Sequence, residues 1–86
     1  MEQEIIEELL SKYSIDPSNE ITSTYIKLIK LGFNNTWLRN MCIIREFDKL
    51  YNTQSQRNTY FDLGYKYKIH EDSIRRIVAN RREYEI

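Results

Sequence analysis

The residues with the most chemical reach lie near the C-terminus: Arg75, Arg76, Asn80, Arg81 and Arg82. A guanidinium pairs with phosphate and, bidentately, with O6 and N7 of guanine; an asparagine amide matches N6 and N7 of adenine. Laid out at about 100° per residue, residues 71–82 put Ile74, Ile77 and Val78 on one face. Asp72, Arg76 and Ala79 fall opposite, with Arg75 and Asn80 at the flanks and Ser73 beside them. Such a helix can bury its apolar side and offer Arg76 to a base or a phosphate, with Arg75 beside it. Ala79 is small enough to let a groove approach. Arg81 and Arg82 suit phosphates, which position a protein without specifying sequence. Lys66, Lys68 and Arg57 flank the same side as secondary candidates.

An element must hold that face outward, and the sequence supplies one. Tyr60, Leu63, Gly64 and Tyr67 make an i, i+3, i+4, i+7 stripe just upstream. Between the two amphipathic stretches lies Lys68-Ile69-His70-Glu71, with Ile69 as the apolar plug of a tight turn. Two helices crossing steeply need a residue without bulk at their closest point, and Leu63-Gly64 provides it. His70, the only histidine, sits where a polar side chain caps the following helix; contact with a phosphate is its second candidate role. Residues 59–82 therefore have the pattern of a helix-turn-helix, whose second helix enters the DNA major groove.

On Leu63-Gly64, Tyr67, Ile69, Ile74 and Ile77-Val78 the chain resembles the helix-turn-helix of small prokaryotic and phage DNA-binding proteins. It looks most like Mor-like activators of transposable phages, in which a tyrosine precedes the turn and a basic tail follows the second helix. The likeness covers roughly residues 45–82 and is specific only over 60–78. It implies sequence-specific DNA binding and a role in transcription regulation. Two residues depart from the pattern. Lys68 stands where many members open the turn with Gly or Asn at positive φ. Glu71 and Asp72 begin the second helix; they suit the helix dipole but repel phosphates if they face a backbone.

Other chemistries find little support. No paired carboxylates, nucleophile–base pair or glycine-rich phosphate loop stands out, so no catalytic residues and no enzyme are expected. One Cys and one His do not supply the three or four ligands of a zinc site, and no metal or cofactor is expected. Cys42 reads as a small core residue without a second thiol or an activating base. The seven Tyr and three Phe invite a base-stacking reading, but most fall on apolar stripes, where packing accounts for them. Phe61 and Tyr84 are the best-placed exceptions.

Eighty-six residues with 30% charged side chains suit one globular domain with a modest core. Two Gly and one Pro disfavour sheet-rich folds, which need turn residues. A single Cys fits a reducing cytoplasm. The first ten residues, acidic and amphipathic, lack the basic start and apolar run of a signal peptide, and no stretch approaches membrane-span length. Net charge is zero, but it is polarised. Residues 1–20 hold six acidic groups against one Lys, a net of −5. Residues 21–56 hold five basic against two acidic, +3, and residues 57–86 seven against five, +2. A +2 tail is a small electrostatic footprint for a DNA binder.

Upstream, Ile5, Ile6, Leu9, Leu10 and Tyr13 form one stripe of a helix over 2–13, with glutamates opposite. Residues 14–19, with Pro17, read as a turn. Ser18 or Asn19 can cap a helix over 20–31, with Ile21, Tyr25, Leu28 and Ile29 apolar, and Gly32 sits where a C-terminal glycine belongs. Registering Phe33 as a turn plug would put Lys27 in an apolar slot and Leu28 in a small-residue slot, so this pair reads as an ordinary helical hairpin. Asn34 or Asn35 caps a third helix over 36–52, and TQSQRN at 53–58 reads as a polar connector. The third helix is apolar at Trp37, Leu38, Met41, Cys42, Ile43, Ile44, Phe47, Leu50 and Tyr51, more than half its circumference. It is either a central strut or partly a subunit interface.

The expected fold is all-α with about five helices, a C-terminal helix-turn-helix at about 59–82 packed on an N-terminal helical hairpin. One domain spans 1–86, with residues 1–52 as the helical part available for dimerisation and 56–86 as the motif. The expected partner is double-stranded DNA through its major groove; a second copy of the chain as homodimer and a protein partner are further candidates, and no membrane is expected. The expected function is that of a cytoplasmic transcriptional regulator or DNA-docking accessory factor of a phage or mobile element. The alternative is a protein-binding module on the same scaffold, such as a phage inhibitor of a host defence system.

Overall fold

The computed structural model describes residues 2–15 and 21–85. It is all-helical: α1 (Glu2–Lys12), α2 (Ile21–Lys30), α3 (Asn35–Tyr51), α4 (Gln56–Tyr67), α5 (Glu71–Ala79) and a closing 3₁₀ turn, Arg81–Tyr84. No strand occurs among the described residues. None of the helices is long and apolar enough to cross a membrane. The chain divides into two compact units, and the boundary falls inside α3, between Arg39 and Asn40.

In the first unit, Ile5, Ile6 and Leu9 of α1 are buried as their spacing requires, as are Leu28 of α2 and Leu38 of α3. Each helix exit is a left-handed residue. Ser14 (φ 53°) ends α1, with the Ile15 N–H donating to the Leu10 carbonyl at 2.9 Å. Gly32 (φ 97°) ends α2; its N–H donates to Ile29 and that of Phe33 to Leu28, both at 2.9 Å. This is the paired bonding of a glycine-terminated helix. Asn34 then caps α3, its Oδ1 accepting from the Trp37 N–H at 2.9 Å. Phe33 is ringed by Tyr13 and Trp37, with centroids 5.4 Å and 4.7 Å away. Ile29, expected inside, is half exposed, as is Ile26. The proposed caps Ser18 and Asn19 and the Pro17 turn lie outside the described residues.

In the second unit, Ile43 and Phe47 of α3, Tyr60 and Leu63 of α4 and Ile74 of α5 form the core, with Leu50, Tyr67, Ile69, Ile77 and Val78 packed around them. Each such side chain contributes about 1.5–3 kcal/mol of transfer free energy. The apolar surplus of α3 is largely covered within the chain: Leu38, Met41, Cys42, Ile43, Ile44 and Phe47 are buried, Trp37 and Leu50 half-buried, and Tyr51 exposed. The helix therefore needs no second copy to shield these residues.

The stretch 53–58 is not the connector its polarity suggests. α4 begins inside it, at Gln56, because Ser55 is its N-cap. Ser55 Oγ accepts from the Asn58 N–H at 3.2 Å. The fully buried Thr59 donates its hydroxyl to the Ser55 carbonyl at 2.9 Å, and Gln54 Nε2 donates to Thr59 Oγ1 and to Asp62 Oδ2. A serine side chain satisfying an otherwise unpaired amide of the first turn is what starts a helix here.

Candidate functional site

The site is built from α4, the turn at residues 68–70 and α5. Lys68 takes the left-handed conformation (φ 58°, ψ 41°) despite its side chain, and its N–H bonds to the Gly64 carbonyl. The Ile69 N–H reaches the same carbonyl at 3.0 Å. Gly64 itself is required by backbone crowding. A Cβ there would stand 2.8 Å from the Ile69 carbonyl oxygen and 3.4 Å from the Glu71 nitrogen. The small residue was expected from the crossing of two helices; the nearest atom that excludes bulk belongs to the turn, and the next two to Glu71 at the start of α5. Even alanine meets a backbone oxygen there, so Gly64→Ala requires the turn to shift.

His70 caps α5 as its position implies, with Nδ1 accepting from the Asp72 N–H at 3.1 Å. The Ser73 N–H bonds back to the His70 carbonyl at 2.9 Å. Ile74 is fully buried and Ile77 and Val78 are half-buried, so the inward face is the one read from the periodicity. The opposite face carries Asp72, Arg76 and Ala79, all exposed. Arg76 makes no ion pair among the described residues and stands one turn before the exposed Asn80.

The other candidates are placed unequally. Arg75 is exposed, but its guanidinium lies over the Tyr60 ring, 5.3 Å from the centroid, a cation–π contact. Tyr60 in turn stacks on Phe47 at 5.4 Å. α5 ends at Ala79, so Arg81 and Arg82 belong to the 3₁₀ turn rather than to the helix. Arg81 is drawn to α3: its Nη2 donates to Asp48 Oδ2 at 2.6 Å. That hydrogen bond holds its pKa above the ordinary guanidinium value. Arg82 is exposed and has no ion pair among the described residues. Lys66 bonds to Glu46, which also accepts from the Tyr67 hydroxyl at 2.7 Å. Lys68 and His70 are exposed, and Ser73 is half-buried. Tyr84 accepts at its hydroxyl from Asn40 Nδ2 at 3.0 Å, which ties the 3₁₀ turn to α3. Phe61 and Tyr65, by contrast, stand out from α4 with 64% and 84% of their surface exposed.

Sequence reasoning missed two arrangements. One is Tyr60 as a platform for Arg75, residues fifteen apart whose meeting no local periodicity announces. The other is the place of Arg57 in the first turn of α4, which the serine of TQSQRN could have revealed. Among the described residues no cluster of His, Cys, Asp or Glu could hold a metal. Comparison with known proteins finds no matching family model, no matching curated protein and no matching solved structure.

Proposed function

We propose that this chain binds double-stranded DNA, with α5 in the major groove, as a transcriptional regulator or DNA-docking accessory factor of a phage or mobile element in the cytoplasm. One observation carries the reading. A helix, a turn made by a single left-handed residue and a second helix present an outward face on which Arg76 and Asn80 are exposed a turn apart. Arg76 on α5 and Asn80 at its C-cap, four residues apart, suit contact with neighbouring base edges. On this reading Arg75 and Arg82, both exposed, contact flanking phosphates. Glu71 and Asp72, at the end that approaches bases most closely, temper the attraction and make it selective.

Titration of a labelled random duplex pool by anisotropy, at about 50 and about 200 mM salt, tests this. Binding at the lower concentration that weakens steeply at the higher supports DNA recognition. No binding at low salt sinks it. The second reading, a protein-binding module such as an inhibitor of a host defence system, draws on a different feature. Phe61 and Tyr65 flank an open groove of about 270 Å³ floored by Gly64 and Ile69, and an exposed aromatic pair suits a protein partner. Partner binding through that groove would persist in high salt.

A further inference from the structure

A second hollow lies beside the first, toward the start of α4, and shares Glu71 with it. It is an open cleft of about 520 Å³ lined by Gln56, Arg57, Tyr60, Glu71 and Arg75. Two arginines from different helices line it, and neither makes an ion pair among the described residues. Arg75 is steadied by the Tyr60 ring. Tyr60 is 93% buried, since 7% of it is exposed. Its hydroxyl accepts from Gln56 Nε2 at 2.8 Å, which leaves the phenolic proton without an acceptor among the described residues. A phenol both accepts and donates, so the hydroxyl can still offer its proton to a group seated in the cleft.

We propose that this cleft is a seat for one phosphate group, held by Arg57 and Arg75 with the Tyr60 hydroxyl as a third donor. Guanidinium forks match the oxygens of a phosphate, and a donor already fixed by packing loses little freedom on binding. Glu71 is the opposing charge. It lines the same cleft, repels the anion and limits its affinity, so the seat is tuned to be weak by itself. The chemistry is shared by a phosphodiester of a duplex backbone and by free phosphate. The DNA reading above enters only in naming the backbone as the source. A phosphate seated beside Arg57 would fix the register of α5 in the groove without reading sequence.

Two titrations test the seat and keep it separate from the DNA reading. In the first, inorganic phosphate is added at constant ionic strength and amide and arginine side-chain resonances are followed. Shifts centred on Gln56, Arg57, Glu71 and Arg75, lost in Arg57→Gln and several-fold tighter in Glu71→Gln, support the seat. In the second, duplex DNA is titrated against the same variants across salt concentrations, with thermal melts confirming that each is folded. Arg57→Gln should weaken binding on all sequences alike and lower the salt slope by about one, and Glu71→Gln should strengthen it. DNA binding by the parent with an unchanged slope in Arg57→Gln, and no shifts from phosphate, overturns the seat and leaves the DNA reading standing. Phosphate shifts without any DNA binding do the reverse, and assign the seat to free phosphate.

Discussion

The chain's two glycines stand near two tight helix exits, and they are there for different reasons. Gly32 occupies the left-handed position itself, with φ 97° and open space around any added Cβ. At the α4 exit the left-handed residue is a lysine, and the glycine sits four residues earlier, where the returning backbone comes within 2.8 Å of its missing Cβ. The first glycine serves a dihedral angle; the second serves a close approach. A dihedral requirement is local and leaves room for the chain to relax. A close approach constrains how the turn and the start of α5 pass over α4.

Substitutions at the two exits should separate these causes. Gly64→Leu should have the largest effect, about 3 kcal/mol or more, and Gly64→Ala should still cost about 1–3 kcal/mol because a backbone oxygen must move. Thermal or urea melts measure this, and an Ala variant as stable as the parent would break the distinction. Gly32→Ala should cost less, about 1–2 kcal/mol, entirely from the dihedral angle. If it costs as much as Gly64→Ala, crowding is not what sets the α4 exit apart.

Lys68→Gly tests the exit from the other side. Relief of the left-handed strain, about 1–2 kcal/mol, outweighs the added freedom of the unfolded chain, about 0.5–1 kcal/mol. The variant should therefore gain up to about 1 kcal/mol in a denaturant titration. A loss would mean that the lysine side chain stabilises the turn by contacts of its own.

The smallest effect on folding is expected at Arg76→Ala, within about 0.5 kcal/mol, because the side chain is exposed. On DNA the same change divides two roles. Loss of about 1–3 kcal/mol with relaxed preference at one base pair marks a base contact. Uniform weakening with a salt slope lower by about one marks a phosphate. Arg82→Ala should behave in the second way.

Much of the fold was legible because it depends on neighbours in sequence. The α1 and α5 stripes, the Gly32 stop, the Asn34 cap and the His70 cap all follow from spacing and residue type. The misreadings have equally local causes. TQSQRN reads as a connector by composition, yet a single serine in it starts a helix. Ile29 reads as inward by periodicity, yet it is half exposed, since a stripe names a face without saying how wide the cover over it is.

The sequence by itself determined that the chain is helical, where the α2 and α4 exits fall and which side of α5 carries Arg76, because hydrogen bonding and side-chain periodicity act within a few residues. Only the tertiary structure decided which arginines remain available. Asp48 holds Arg81 and Glu46 holds Lys66 across long stretches of chain, while Tyr60 supports Arg75 beside Arg57. Charges and rings far apart in sequence meet only when helices pack, and a count of basic residues records their number but not their partners.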